Sequence, residues 1–593
     1  SGAVRSEDSQ NLPGTSAAAT AVRHQAQAVF CIDVRSEGFR RHLEAVGDYE
    51  TYGFAGFFNA FIRYRSLGSH HEVDQFPVVM QAKNEVREVA RTYHARLLSR
   101  HRAGSKLLHA GHELLHDLKE NVVTPYVAVE TLGWFYGLPL VGKTVFTAWY
   151  QDWADWVRST FVPTVATAVT VDKLLPEEVQ EMMTAEQRAV IRRALQEHFG
   201  DRHLNLSLER LEYLRKSALN EPIGDQTPPL GALTVEEVSI FIQLLRSQYQ
   251  INPGGAFTRL ERITRIGFTP SEQAFTVETA LQMMGLTRNF ARLVLFCGHG
   301  STTDNNPFEA ALDCGACGGN PGKPNARVLA AMANKAAVRD ALGKKGIVIP
   351  LDTYFIAGLH DTTMDTVQFF DLEDLPHTHL KDLLRLTQDL EEAGRRNSRE
   401  RCGRFPELTA ALSPAQAARE TRRRSGDWSE VRPEWGLSGN AAFIIGRREL
   451  TRGVCLDGRV FLQSYDYLQD PSGRLLEIVM TGPQAVGQWI NMEHYFSTVD
   501  NEVYGSGTKI YHNVVGRFGV MSGPQSDLRT GLAWQTVMDG QRPFHEPMRM
   551  LTLIEAPREQ VLRIIGRHRF LQRLYDNEWV HLAVFEPEEK VFY

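Results

Sequence analysis

The chain has 593 residues, 43% of them hydrophobic and 23% charged, with a formal net charge of −6. That length exceeds what one hydrophobic core supports and predicts about three or four domains. The acidic balance excludes nucleic acid as the main partner, no apolar run reaches the roughly eighteen residues of a membrane helix, and six cysteines over this length form no disulfide scaffold.

Thiols that are few and clustered point to a reducing compartment and to metal or redox chemistry. No signal-peptide pattern opens the chain. It begins Ser1-Gly2-Ala3 without methionine, which predicts an upstream part outside this sequence. Residues 1–27 are small and polar and read as a flexible entry. The stretch from Ala28 to Glu37 reads as a buried strand running into polar chemistry. Cys31, Asp33 and Arg35 fall at every second position and share one face while the strand lasts. A soft metal ligand, a carboxylate and a guanidinium together are costly unless something uses them. The plainer reading is a buried thiol beside a surface ion pair.

Gly38 to Val46 reads as a helix, and Tyr52 to Phe58 as a glycine-aromatic stretch suited to close backbone packing. His70-His71-Glu72 resembles a ligand run, but adjacent side chains diverge, so a surface loop is expected. Residues 81–118 have a helical pattern, with His109, His112 and His116 at helical spacing, a set that could bind metal but reads better as a solvated face. Residues 28–119 form the first part of an α/β core in this reading, and 120–290 a helical insertion. Within the insertion, Trp134, Phe135, Tyr136, Phe146, Trp149, Tyr150, Trp153 and Trp156 predict a helical core, interrupted by Glu130 and Lys143. The alternative is a docking face for a membrane partner or the membrane surface. Pro176-Glu177-Glu178 and Thr234 to Glu237 read as helix starts.

Residues 291–370 form the second part of the core. Arg292 to Gly300 is a buried strand carrying His299, followed by the loop Ser301 to Pro307, the run Asp313-Cys314-Gly315-Ala316-Cys317-Gly318-Gly319 and a helix from Asn325. A third strand, Thr353 to Leu359, ends in His360-Asp361-Thr362-Thr363. All three strands deliver their chemistry at the C-terminal end, where open parallel sheets bind ligands. Residues 371–434 read as a charged helical connection, with Arg422-Arg423-Arg424 solvated. Residues 435–593 read as a mixed α/β region with glycine turns around Tyr504 to Thr508 and His512 to Gly516. No internal repeat is visible.

Thiolate and imidazole favour zinc, and a carboxylate completes a tetrahedron. Cys31, Asp33, His299 and Cys314 supply that set. With an open position, such a site lowers the pKa of bound water to about 7. Cys297 shares a strand face with His299 and reads as a packed thiol. Cys402 and Cys455 read as inert, and Cys317 as a supporting or spare thiol. His360 and Asp361 are candidates for supporting the ligands or relaying protons.

The pattern Cys31-x-Asp33-x-Arg35 is similar to the first signature of β-class carbonic anhydrases. There a histidine and a second cysteine two residues apart complete the site, whereas fourteen residues separate His299 from Cys314 here. Together with the Cys-Gly-Ala-Cys-Gly-Gly run, the chain resembles the DabA family, the zinc subunit of an energy-coupled inorganic carbon pump. The likeness covers most of the chain, including Cys31 to Glu37, Gly298 to Gly319, Tyr495 to Asp500, His512 to Gly516 and Gln525 to Gly531. Members usually carry a substantial region before the Cys-x-Asp strand, which is nearly absent here.

The resemblance implies an α/β fold. A mostly parallel sheet would hold a β-carbonic-anhydrase-like zinc site, beside a large helical insertion and a C-terminal mixed α/β region. It implies Zn2+ held by Cys31, His299 and Cys314. Asp33 either closes the fourth position or releases it and pairs with Arg35, which makes Asp33 and Arg35 the catalytic pair. It further implies CO2 and bicarbonate as substrate and product and a DabB-like membrane cation-conducting subunit as partner. Hydration would run one way on a proton or sodium gradient, and the chain would sit peripherally on the cytoplasmic side of the cell membrane. Three other readings compete. One is a redox dithiol at Cys314 and Cys317. The second is an ester hydrolase using His299, Asp304, His360 and Asp361. The third is a scaffold with purely structural zinc.

Overall fold

In the computed structural model, β1 (Ala26–Cys31) is the second strand of a five-stranded sheet, and every residue of β1 is buried. The described residues are 23–593 except 70, 78–79, 92–94, 121–123, 201–206, 224–232, 305–311, 409–410, 506–513, 516–517 and 520–530. For residues 95, 109, 111–120, 124–132, 514–515 and 518–519 only the backbone is described. The histidine row His109, His112 and His116 and most of the glycine-rich turns near His512 and Gln525 therefore lie outside the described side chains.

β1 runs parallel to β2 (Tyr49–Phe54) on one side and to β7 (Leu293–Gly300) on the other. β8 (Tyr354–Asp361) follows in parallel, and β9 (Thr366–Phe370) closes the edge antiparallel. The resulting order is β2-β1-β7-β8-β9. Alternation along the strands builds two cores. Ala28, Phe30, Leu293 and Leu295 pack with Phe39 and Leu43 of α1 (Arg35–Val46) and with Leu386 and Leu390 of the helix Leu380–Cys402. Val29, Val294 and Phe296 face the opposite cluster, with Leu281 of the helix Pro270–Met284 and Leu329 of the helix Lys323–Ala333. Helices thus cover both faces, as parallel sheets require.

The C-terminal region repeats this plan. β10 (Ala442–Gly446) runs parallel to β11 (Val460–Ser464) and β12 (Met550–Glu555). β13 (Val580–Glu586) is parallel to β12, and β14 (Val591–Phe592) is antiparallel to β13. The order β11-β10-β12-β13-β14 and the strand senses reproduce those of the first sheet. The two units meet through equivalent edge strands: the Gly53 N–H on β2 donates to Ser464 Oγ on β11 at 2.9 Å. A Cβ at Gly53 would lie 1.7 Å from the Leu462 carbonyl oxygen, so only glycine fits that approach. The sequence shows no repeat because topology, not residue identity, is what the halves share.

Three expectations are corrected. Residues 81–118 are not helical throughout: β5 (Asn84–Ala90) joins a four-stranded sheet of order β4-β3-β5-β6, and the helix α2 (Ala95–Glu120) begins after it. The other strands are β3 (Ile62–Arg65), β4 (Val73–Gln75) and β6 (Thr167–Val169), and β6 pairs with β5 from inside the region read as helical. Arg87 and Glu88 masked the strand by carrying charge, which is spent on local partners such as Arg327. The aromatic stretch is not a core: Trp134, Phe135, Trp149 and Trp156 on α3 (Thr124–Val145) and α4 (Thr147–Phe161) are exposed. Arg424 is buried rather than solvated, stacked 3.9 Å over the Phe405 ring and bonded to the Arg432 carbonyl. Helices α5 (Pro176–Phe199), α6 (Leu208–Leu219) and α7 (Val235–Ser247) close a small core of their own through Ile191, Leu214 and Phe241.

Candidate metal centre

The apolar run of β1 ends at Cys31, and the chain turns through Asp33 into α1, which Arg35 opens. Strand alternation therefore stops at Cys31, and Asp33 and Arg35 meet through a turn rather than along a strand face. Across the gap β7 ends in His299 and Gly300. The sheet order reverses between β1 and β7, so this is the switch point at which open α/β sheets form ligand sites. Cys314 arrives from the loop after β7, just before a single helical turn, Gly315–Cys317.

One donor atom each from Cys31, His299 and Cys314 lie within 4.8 Å of one another, and all three residues are buried. His299 Nδ1 is buried with no hydrogen-bond partner among the described residues. The Cys31 thiol is pushed well above its ordinary value by its hydrogen bond with Cys314 and by burial. For Cys314 the bond to Cys31 acts downward, but the bond to Cys317 and burial outweigh it. Two adjacent buried thiols stay protonated unless a cation stabilises their thiolates, and two sulfurs with one imidazole nitrogen suit zinc. The donor set fits that ion. Gly56 seals the site: a Cβ there would lie 2.6 Å from Cys314 Sγ and 3.0 Å from Cys31 Sγ. Cys317 is outside the three-donor group and donates to the Gly56 carbonyl at 3.3 Å. Cys297 lies in the opposite core, where burial raises its thiol.

Asp33 stands beside the group, its Oδ2 3.6 Å from His299 Nε2, but it is held by Arg35. Arg35 Nε donates to Asp33 Oδ1 and Nη2 to Oδ2, both at 2.8 Å, and the Arg35 backbone N–H adds a third bond at 3.0 Å. Burial pushes the Asp33 carboxyl up, but the charge and hydrogen bonds of Arg35 hold it well below the usual carboxylate range. Arg35 also donates through Nη1 to Glu434 Oε1 at 3.0 Å and to Thr362 Oγ1 at 2.9 Å, and through Nη2 to the Leu312 carbonyl at 2.7 Å. The guanidinium thus lies between two buried carboxylates. Removing one member of such a set costs about 3–5 kcal/mol, because a buried charge is left alone.

Glu434 was not legible in the sequence. It sits on an irregular segment 399 positions from Arg35, with no motif around it. Thr362 and Thr363 both donate to the same Glu434 oxygen, which explains the polar end of β8. His360 and Asp361 are not part of the donor group. His360 bonds Asp365 at 3.2 Å and packs at a tilt against the Phe39 ring, and Asp361 accepts the Thr363 and Met364 N–H groups. Asp304 pairs with Lys143 at 2.8 Å. The four hydrolase candidates therefore have separate partners.

A family model described as "Probable inorganic carbon transporter subunit DabA" matches residues 3–580. Among curated proteins, the chain is 45% identical over 577 residues to "Probable inorganic carbon transporter subunit DabA1" of Halothiobacillus neapolitanus, covering 96% of this chain and 54% of that protein. It is 46% identical over 566 residues to the DabA of Nitrosomonas eutropha, covering 95% and 53%. It is 44% identical over 572 residues to the DabA of Aquifex aeolicus, covering 96% and 55%. The chain spans about half the length of the curated relatives it matches. No solved structure matches it. With the family model covering the first sheet, the donor group and most of the C-terminal region, the chain belongs to the DabA family.

Proposed function

We propose that this chain is the zinc-holding part of a subunit for inorganic carbon uptake, converting CO2 to bicarbonate in one direction within a membrane complex. The observation that carries the reading is the pairing of the Cys31–His299–Cys314 group with an Asp33 carboxylate already taken by Arg35. Zinc, when bound with an open position, supplies a nucleophile for CO2 at neutral pH by acidifying a coordinated water. The remaining chemistry belongs to the chain. Cys31, His299 and Cys314 would hold the ion. Arg35 keeps Asp33 from serving as a fourth donor and leaves that position to the reactants. Releasing Asp33 towards His299 would close it. Glu434, Thr362 and the Leu312 carbonyl set where the Arg35 guanidinium rests. The Asp33–Arg35 pair is therefore a gate.

The family name of the relatives supports inorganic carbon as the cargo. A DabB-like, cation-conducting membrane subunit would work the gate with a proton or sodium gradient, and the chain would lie peripherally on the cytoplasmic side. No helix among the described residues is long and apolar enough to cross a membrane. The dithiol reading is less well supported: Cys317 does contact Cys314, but that pair leaves the grouping of Cys31 and His299 with Cys314 unexplained. The test is carbon accumulation in cells carrying the complex with Asp33→Ala or Arg35→Ala. Both variants abolish accumulation if the pair is a gate; full accumulation in either contradicts it.

A further inference from the structure

The aromatic hairpin of α3 and α4 takes no part in the metal centre. Trp134 is 89% exposed and Phe135 76%, and residues 134–138 are exposed without interruption. Five consecutive positions cover more than a full helical turn, so apolar surface faces outward all round α3 at residues 134–138. A protein groove takes one stripe of a helix, whereas a helix apolar on every side belongs in an apolar medium. Thr131 to Gly142 carries no charge. At 1.5 Å per residue that stretch is about 18 Å long, well short of the roughly 30 Å hydrocarbon layer, a length typical of interfacial or re-entrant segments. On α4, Trp149, Trp153 and Trp156 share one face by their spacing, and the first two rings stack at 6.3 Å. Tryptophan concentrates at the membrane–water boundary.

A second observation names the surface. α2 packs against both α3 and α4. Its first half exposes Arg96, Arg100, Arg102 and Lys106, with no acidic residue from Ala95 to His112. Exposed Leu107 and Leu108 adjoin them. A cationic row beside an aromatic helix that is uncharged from Thr131 to Gly142 complements an anionic lipid surface. The base of the hairpin is pinned to the body. Lys143 pairs with Asp304, five positions after His299, and accepts the Trp428 N–H through its carbonyl at 3.0 Å. Asp152 pairs with Arg422.

We propose that α2–α4 dock this chain directly on an anionic lipid bilayer, with the Trp134–Val141 segment of α3 entering the headgroup–acyl boundary and the α2 cations resting on the headgroups. The proposal deepens the peripheral-membrane reading above. Its surface lies one ion pair from the loop leading out of the metal centre.

The test is flotation of the full chain with protein-free vesicles of 7:3 phosphatidylcholine and phosphatidylglycerol, and with phosphatidylcholine alone. The wild type floats with the anionic vesicles. Trp134→Glu combined with Phe135→Glu lowers the bound fraction about tenfold or more. Replacing Arg96, Arg100, Arg102 and Lys106 with glutamine lowers it on the anionic vesicles only. Unchanged thermal unfolding of the variants shows that they fold. Failure of the wild type to float, or equal flotation of the Trp134/Phe135 variant, overturns the proposal. Binding confined to native membranes and lost after their proteolysis also overturns it, in favour of a protein partner. Metal content and CO2 hydration measured on the same preparations keep the two readings separate. Flotation without zinc defeats the proposed function alone, and zinc without flotation defeats only the docking surface.

Discussion

Replacing Gly56 with alanine tests the metal centre without touching a ligand. The added Cβ would stand 2.6 Å from Cys314 Sγ and 3.0 Å from Cys31 Sγ, inside ordinary contact by roughly 0.5–1 Å. Metal–ligand distances tolerate only about 0.2 Å. Backbone relief is limited, because the Gly56 carbonyl accepts the Cys317 thiol and Gly56 sits between both sulfurs. Displacing the sulfurs should weaken zinc binding by about 10–100-fold, the range seen when groups around metal ligands are disturbed. That corresponds to about 1.4–2.8 kcal/mol. Overpacking adds about 1–3 kcal/mol of destabilisation even without metal. Competition against a chromophoric chelator reads the affinity, and unfolding of the metal-stripped proteins reads the packing cost. Zinc affinity within about threefold of wild type would refute the argument that Cys31 and Cys314 hold the ion against Gly56.

Glu434→Gln keeps the shape beside Arg35 but removes a charge. It should leave zinc content unchanged while lowering carbon accumulation, because Arg35 loses one of its two carboxylates; equal loss in zinc content would instead mean a structural role. Glu88 links β5 to the helix Lys323–Ala333 through Arg327. Burial pushes its carboxyl up, but the Thr167 hydroxyl, the Leu67 N–H and Arg327 bring it down to about 2. A depressed folded value contributes stability that is full above the unfolded pKa and lost as pH falls. The thermal stability difference between wild type and Glu88→Gln should therefore be constant above about pH 5 and shrink from there towards pH 2. A difference independent of pH across that window would contradict the assignment.

The legible parts of the site lay where local chemistry broke a local pattern. Apolar strands ending in Cys31, His299 and His360 announced a parallel sheet with its site at the C-terminal ends, and the glycine-aromatic stretch announced close packing at Gly56. Asp33 and Arg35 were found through strand alternation, although the turn into α1 is what joins them. What the sequence concealed depends on tertiary placement. Glu434 reaches Arg35 from a segment with no periodicity. β5 carries charges that only its neighbours neutralise. The tryptophans of α3 and α4 have the composition of a core, and composition does not distinguish an inward face from an outward one. The shared order of the two sheets is a property of pairing, which leaves no trace at the level of residue identity.

The most direct test of the central claim is elemental analysis with zinc-edge X-ray absorption on the reduced, folded chain and on Cys314→Ala. About one zinc per chain, with two sulfur and one nitrogen neighbours and loss of the metal in the variant, is the predicted result. Absence of zinc from the folded wild type, or a coordination shell without sulfur, would contradict it.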